Sequence, residues 1–164
     1  MNYDRFFDPD SSGAPPDAEA ATPVPAALDF LADWGEDDWA RLFVYTEQRR
    51  FRAGERLINA GEVERSLLIV GAGELDVLLP NGEGMERRAG SVQPGDVIGE
   101  VAFFDGSPRS ASVRAVADGE ARVLSRDAFE VFAAYEPVLA RAFLLELGRV
   151  LATRLRAAEG TNRA

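Results

Sequence analysis

Three side chains that carry much of enzyme chemistry are missing. The 164 residues contain no cysteine and no histidine, and because all 18 basic residues are arginine there is no lysine either. A serine triad would lack its imidazole base, a thiol nucleophile its sulfur, and a Walker loop or Schiff base its amine. Structural zinc would find neither thiolate nor imidazole, so no metal site is expected. Carboxylate chemistry and hard-cation binding are what remain, and a binding module is favoured over an enzyme. Long apolar runs are missing too. No uncharged stretch approaches the ~18–20 residues of a membrane span, and the N-terminus has neither the basic nor the apolar region of a signal peptide. A soluble, cytoplasmic protein with no membrane partner is the expectation.

Positive charge is also scarce where it would matter for nucleic acid. The chain carries 28 acids against 18 bases. Residues 1–40 hold ten of the acids against Arg5 alone, a net −9, which leaves the remaining 124 residues near −1. Nothing in this balance attracts a phosphate backbone, so no nucleic-acid partner is expected.

The leading 1–25 segment, MNYDRFFDPDSSGAPPDAEAATPVP, is rich in Pro, Ala, Ser and acids without any sustained period, and reads as a disordered acidic leader. Tyr3, Phe6 and Phe7 cluster within it, either as a docking peptide for a partner or for this domain, or as part of an ordinary tail. The domain proper runs over 26–164. Residues 26–47 are expected to be helical, with Trp39, Leu42 and Phe43 at i, i+3, i+4 and Glu36, Asp37 and Asp38 supplying the negative charge a helix start favours. From 48 to 126 the chain is punctuated by glycine. Short β-prone runs lie between the glycines, at 56–59, 66–70, 74–79, 90–92, 112–116 and 121–124.

Residues 127–158 return to helix. Asp127 is placed to cap a short one and Pro137 to open a longer one. That final helix is apolar over more than one stripe. Leu144, Leu147, Leu151 and Leu155 are read as an outer seam for a homodimer through the C-terminal helix; the alternative is that both faces pack within one chain. The fold class is therefore mainly β with flanking helices: a double-stranded β-roll (jelly roll) with N-terminal helices and a long C-terminal helix.

The stretch that carries chemistry is 94–114, PGDVIGEVAFFDGSPRSASVR. Pro94-Gly95-Asp96 is a turn, and Gly99 permits a close backbone approach or an unusual dihedral. Glu100 to Phe104 can form one helical turn whose free N–H groups attract an anion. Arg109 folded back on that turn would complete a phosphate clamp, since guanidinium pairs bidentately with phosphate oxygens. Glu100 suits a ligand that also offers a hydroxyl, because a carboxylate accepts from one. The competing reading is a Glu100–Arg109 salt bridge that merely staples the loop.

Gly99-Glu100-Val101-Ala102 followed by Pro108-Arg109-Ser110-Ala111-Ser112-Val113 resembles the phosphate-binding cassette of the cyclic nucleotide-binding domain family. The glycine punctuation at Gly54, Gly61, Gly73 and Gly95 is similar to that family's, and the likeness covers about residues 36–158. The resemblance implies a β-roll holding cAMP or cGMP. Arg109 would bind the cyclic phosphate and Glu100 the ribose 2′-hydroxyl. Gly99, the backbone of Val101 and Ala102, and Ser110 and Ala111 would complete the cradle. The last helix would be a lid, with Thr153 and Arg154 nearest the base. Phe103 stands where the family often has Leu and would be the apolar relay to the helices.

The expected function is thus a cyclic nucleotide sensor that signals through its C-terminal helix to a protein partner, with no enzyme cofactor. The alternative is an interaction domain with a vestigial pocket. Transcription-factor activity is disfavoured because only a few residues follow the long helix, too few for a recognition helix. Catalysis is disfavoured because Glu100 and Arg109 lack an accompanying nucleophile or base.

Overall fold

The structure is a computed structural model that describes residues 30–82 and 84–161, with 160 and 161 described for their backbone alone. The leader, including Tyr3, Phe6 and Phe7, lies outside the described residues. In order, the elements are α1 (Glu36–Phe43), β1 (Glu47–Phe51), β2 (Arg56–Ile58), β3 (Ser66–Ala72), β4 (Leu75–Pro80), β5 (Glu86–Val92), β6 (Val97–Ile98), α2 (Glu100–Asp105), β7 (Ser112–Ala115), β8 (Gly119–Ser125), α3 (Arg126–Tyr135) and α4 (Pro137–Thr161).

The eight strands form two four-stranded sheets, ordered β1-β8-β3-β6 and β2-β7-β4-β5, with every pairing antiparallel. Apart from the β4–β5 hairpin, neighbours are distant in sequence, as in a jelly roll. Strand β3 explains how the layers stack. Its residues Ser66 to Val70 are all buried, but successive side chains point to opposite faces. Leu68 and Val70 join Phe51, Leu75, Val92 and Val113 between the sheets. Leu67 and Ile69 face the helices, joining Leu42, Phe103, Phe129, Phe132 and Phe143. One strand therefore serves two cores, and a slip of one residue would exchange them.

The elements differ from the sequence expectation in four places. Only Glu36–Phe43 is helical among the described part of 26–47, because Gly35 in extended conformation is the N-cap; its N–H donates to Asp38 Oδ2 at 3.2 Å. Strands β1 and β6 were not anticipated, and β5 starts at Glu86 rather than 90. Ser125, not Asp127, caps α3, its hydroxyl accepting from the Ala128 N–H at 3.1 Å. Finally, Leu147 is no part of an outer seam. It is fully buried with Phe143 and Val150, and each such side chain contributes about 1.5–3 kcal/mol when taken out of water. That face clamps α4 to the domain. The outward face of α4 instead presents Val138, Leu145 and Leu155, each more than 60% exposed, with Gly148 among them facing open space.

Candidate functional site

Strand β6 leads into Gly99, which takes φ +93° and caps α2. A side chain here is excluded twice over: by the left-handed backbone, and because a Cβ would fall 2.5 Å from Arg109 Nη1 and 2.6 Å from the Ser66 carbonyl oxygen. The first intrahelical bond runs from Phe103 N to Gly99 O at 3.1 Å. The N–H groups of Glu100, Val101 and Ala102 precede it and are left over by the helix itself.

Arg109 reaches this turn from the loop before β7. Its main chain is pinned on both sides: its N–H donates to Glu62 O, and its carbonyl accepts from Gly61 N, both at 2.8 Å. The side chain is 5% exposed. Nη2 donates to the carbonyl and hydroxyl oxygens of Ser66 at 2.8 and 3.0 Å, and Nη1 to Gly99 O at 3.2 Å. Nε is buried without a partner. Burial pulls the Arg109 guanidinium below its ordinary pKa, while Glu64, Glu100 and Glu62 push it back up; an arginine remains cationic at neutral pH regardless. Three acids thus surround one buried cation, but the Glu100–Arg109 staple does not form. Glu100, 6% exposed, pairs instead with α4: Arg154 Nη1 lies 2.5 Å from Glu100 Oε1. Arg154 Nη2 donates to Val97 O at 2.7 Å, and its Nε, like that of Arg109, is buried without a partner.

These groups line a cavity of about 400 Å³, within the range of small-molecule sites. Of the expected site residues, Gly99, Glu100, Val101, Ala102, Arg109, Ser110, Ala111 and Arg154 all line it. Thr153 does not. Its hydroxyl donates to Arg149 O at 2.9 Å within α4, a common fate for a mid-helix threonine. Phe103 is fully buried beneath α2, edge-on to Phe104 and Phe129 at 5.9 and 5.5 Å. It ties α2 to α3.

The sequence reading missed the apolar part of the cavity. Ile58, Val113, Val77, Leu79 and Ala89 come from all four strands of the second sheet, and Leu151, Leu155 and Ala158 from α4. The α4 trio was legible as helical spacing, since 151, 154, 155 and 158 share one face. The wall was not legible, because strand alternation does not say which face meets a cavity. Ser66, the anchor of Arg109, carries no motif of its own.

Residues 48–136 match the family model of the cyclic nucleotide-binding domain. The chain belongs to the cyclic nucleotide-binding domain family. It is 32% identical over 122 residues to an uncharacterized NTE family protein of Mycobacterium tuberculosis, a match covering 74% of this chain and 20% of that one. It is 30% identical over 115 residues to the cyclic AMP receptor protein of Thermus thermophilus, covering 70% and 51%. Among solved structures, the Thermus thermophilus catabolite activator protein superposes with a TM-score of 0.72 at 25% identity, covering 83% of this chain and 62% of that one. The chain thus spans a fifth to about half the length of these two curated relatives. Among the described residues no helix is long and apolar enough to cross a membrane.

Proposed function

We propose that this chain binds a cyclic nucleotide, cAMP or cGMP, as a non-catalytic sensor that signals through α4 to a protein partner. The observation that carries the reading is Arg109: a buried guanidinium with an unpartnered Nε, beside three helix-start N–H groups. An unmade buried hydrogen bond costs about 1–3 kcal/mol, and a phosphate oxygen would make it. In this reading the phosphate bridges Arg109 and the α2 amides, with Ser110 and Ala111 closing the cradle. Glu100 accepts from the ribose 2′-hydroxyl through the oxygen Arg154 does not engage, and Arg154 offsets the charge of a carboxylate placed near an anionic ligand. The base lies against Val77, Leu79 and Ala89, covered by Leu151 and Leu155. The outward stripe of α4 is the seam for a second copy, and no nucleic-acid or membrane partner is invoked.

A second reading, an interaction domain that binds no cyclic nucleotide, draws on a specific observation too. Glu100 is taken by Arg154, and both Nη atoms of Arg109 already donate to the protein's own oxygens. Calorimetric titration of the purified chain with cAMP and then cGMP, beside Arg109→Ala, separates the two. Micromolar or tighter binding to either nucleotide, weakened at least about 100-fold in the variant, is expected from the loss of a charge-assisted clamp. No heat and no thermal shift with either nucleotide would support the second reading.

A further inference from the structure

We propose that Arg65, which does not line the cavity, is a positioning residue that sets the angle of α2 and so the affinity for the phosphate; this rests on the cyclic nucleotide reading above. Arg65 Nη2 donates to the carbonyl oxygens of Phe103 and Phe104, both at 3.0 Å. Those are carbonyls of the last turn of α2, which have no acceptor role within the helix, and a cation there is favourably placed. Gly106, the left-handed C-cap, lies against the same side chain: a Cβ at 106 would sit 3.5 Å from Arg65 Nε.

The main chain of Arg65 is bonded elsewhere. Its carbonyl accepts from the N–H of Arg126, the first residue of α3, at 2.7 Å. The Arg126 guanidinium in turn lies over the Phe103 ring, 5.4 Å from its centroid. One residue therefore holds the far end of α2 through its side chain and the start of α3 through its backbone. A six-residue helix is only ~9 Å long, so a tilt of about 10° pivoted at one end moves the other by roughly 1.5 Å. The amides of Glu100 to Ala102 would then leave hydrogen-bonding distance of a phosphate held by Arg109.

The test is calorimetric titration of the full chain and of Arg65→Ala with cAMP and cGMP, with melting of each in the absence of nucleotide and titrations repeated with methylguanidinium in the buffer. Affinity about tenfold weaker in the variant, from two lost charge-assisted bonds, and recovered with methylguanidinium, is the expected result. Unchanged affinity in Arg65→Ala, or a loss that methylguanidinium does not reverse, overturns the positioning role while leaving the cyclic nucleotide reading intact. No binding by the unmodified chain would overturn both. Should Arg65→Ala fail to fold, Arg65→Gln, uncharged and too short to span both carbonyls, takes its place with the same outcomes.

Discussion

The floor of the cavity and its lid are held in different ways. Around Gly99 and Arg109 the main chain is bonded on every side: Gly99 meets Phe103 and Arg109, Arg109 meets Glu62 and Gly61, and its side chain crosses to Ser66. The lid has no such scaffolding. Beyond Val150, α4 reaches the floor through Arg154, bonded to Glu100 and Val97, and through half-exposed apolar side chains. The floor is pre-organised, so little ordering remains when a ligand arrives. The lid is held by one ion-paired arginine and a few partly exposed apolar side chains, so on the proposed reading it is the part whose population a ligand would shift. A sensor needs both: a rigid half to recognise and a loosely fastened half to report.

That contrast breaks most sharply at Gly99. In Gly99→Ala the new Cβ meets Arg109 Nη1 and the Ser66 carbonyl at the floor's tightest point, on a backbone at φ +93°. Backbone and side chain cannot both stay, so Arg109 is displaced. Nucleotide affinity should fall more than about 100-fold, with stability lowered by about 1–3 kcal/mol. Calorimetry and thermal melting check the two effects. Native affinity in this variant would show the floor to be far softer than its bonding implies.

The same contrast governs what could be read from sequence. The floor was legible because its demands are local: a glycine where no Cβ fits, a helix start, an arginine ten residues on. The second sheet's wall and the Glu100–Arg154 pair were not, because both join residues distant in the chain; 54 positions separate that pair, and nothing in either neighbourhood announces the other. The resemblance places Thr153 beside Arg154 near the base, but helix geometry turns its hydroxyl back onto Arg149. Strand β1 escaped notice because EQRRF buries only Phe51; as an edge strand paired with β8 alone, it shows no alternation. Leucine spacing puts Leu147 on the outer face, whereas the register of α4 is set by Phe143 and Val150, which pack into the same core.

The next largest effect lies where floor and lid meet. Glu100→Ala removes the acceptor assigned to the ribose and leaves Arg154 buried without its carboxylate, so affinity for cAMP or cGMP should fall about 10- to 30-fold. Arg154→Ala removes the neutralising cation but keeps the acceptor, and should cost about five- to tenfold. If the two act as one unit, the double variant loses little more than Glu100→Ala alone. The 2′-deoxy form of the nucleotide supplies the control. It should bind worse than the parent in the unmodified chain, and no worse in Glu100→Ala. Losses that simply add would separate lid from floor and refute their joint action.

The smallest effect on affinity is expected from the outside of the lid. Val138, Leu145 and Ala152 recur at intervals of seven, as do Gly148 and Leu155, and Gly148 leaves room for another backbone to approach. Gly148→Leu enters that room, and its Cβ meets no neighbouring side chain within 4 Å. If the stripe is a seam between two copies, sedimentation should show the unmodified chain as a dimer and the variant as a monomer. Because Val138, Leu145, Gly148 and Ala152 lie off the cavity and only Leu155 borders both, nucleotide affinity should change by no more than about threefold, the scale of a typical surface substitution. A monomer in both cases would remove the seam, and α4 would then have to report to a partner of another kind. A dimer whose loss also abolished binding would mean that the second copy helps to close the cavity, and that the lid is more than one side chain deep.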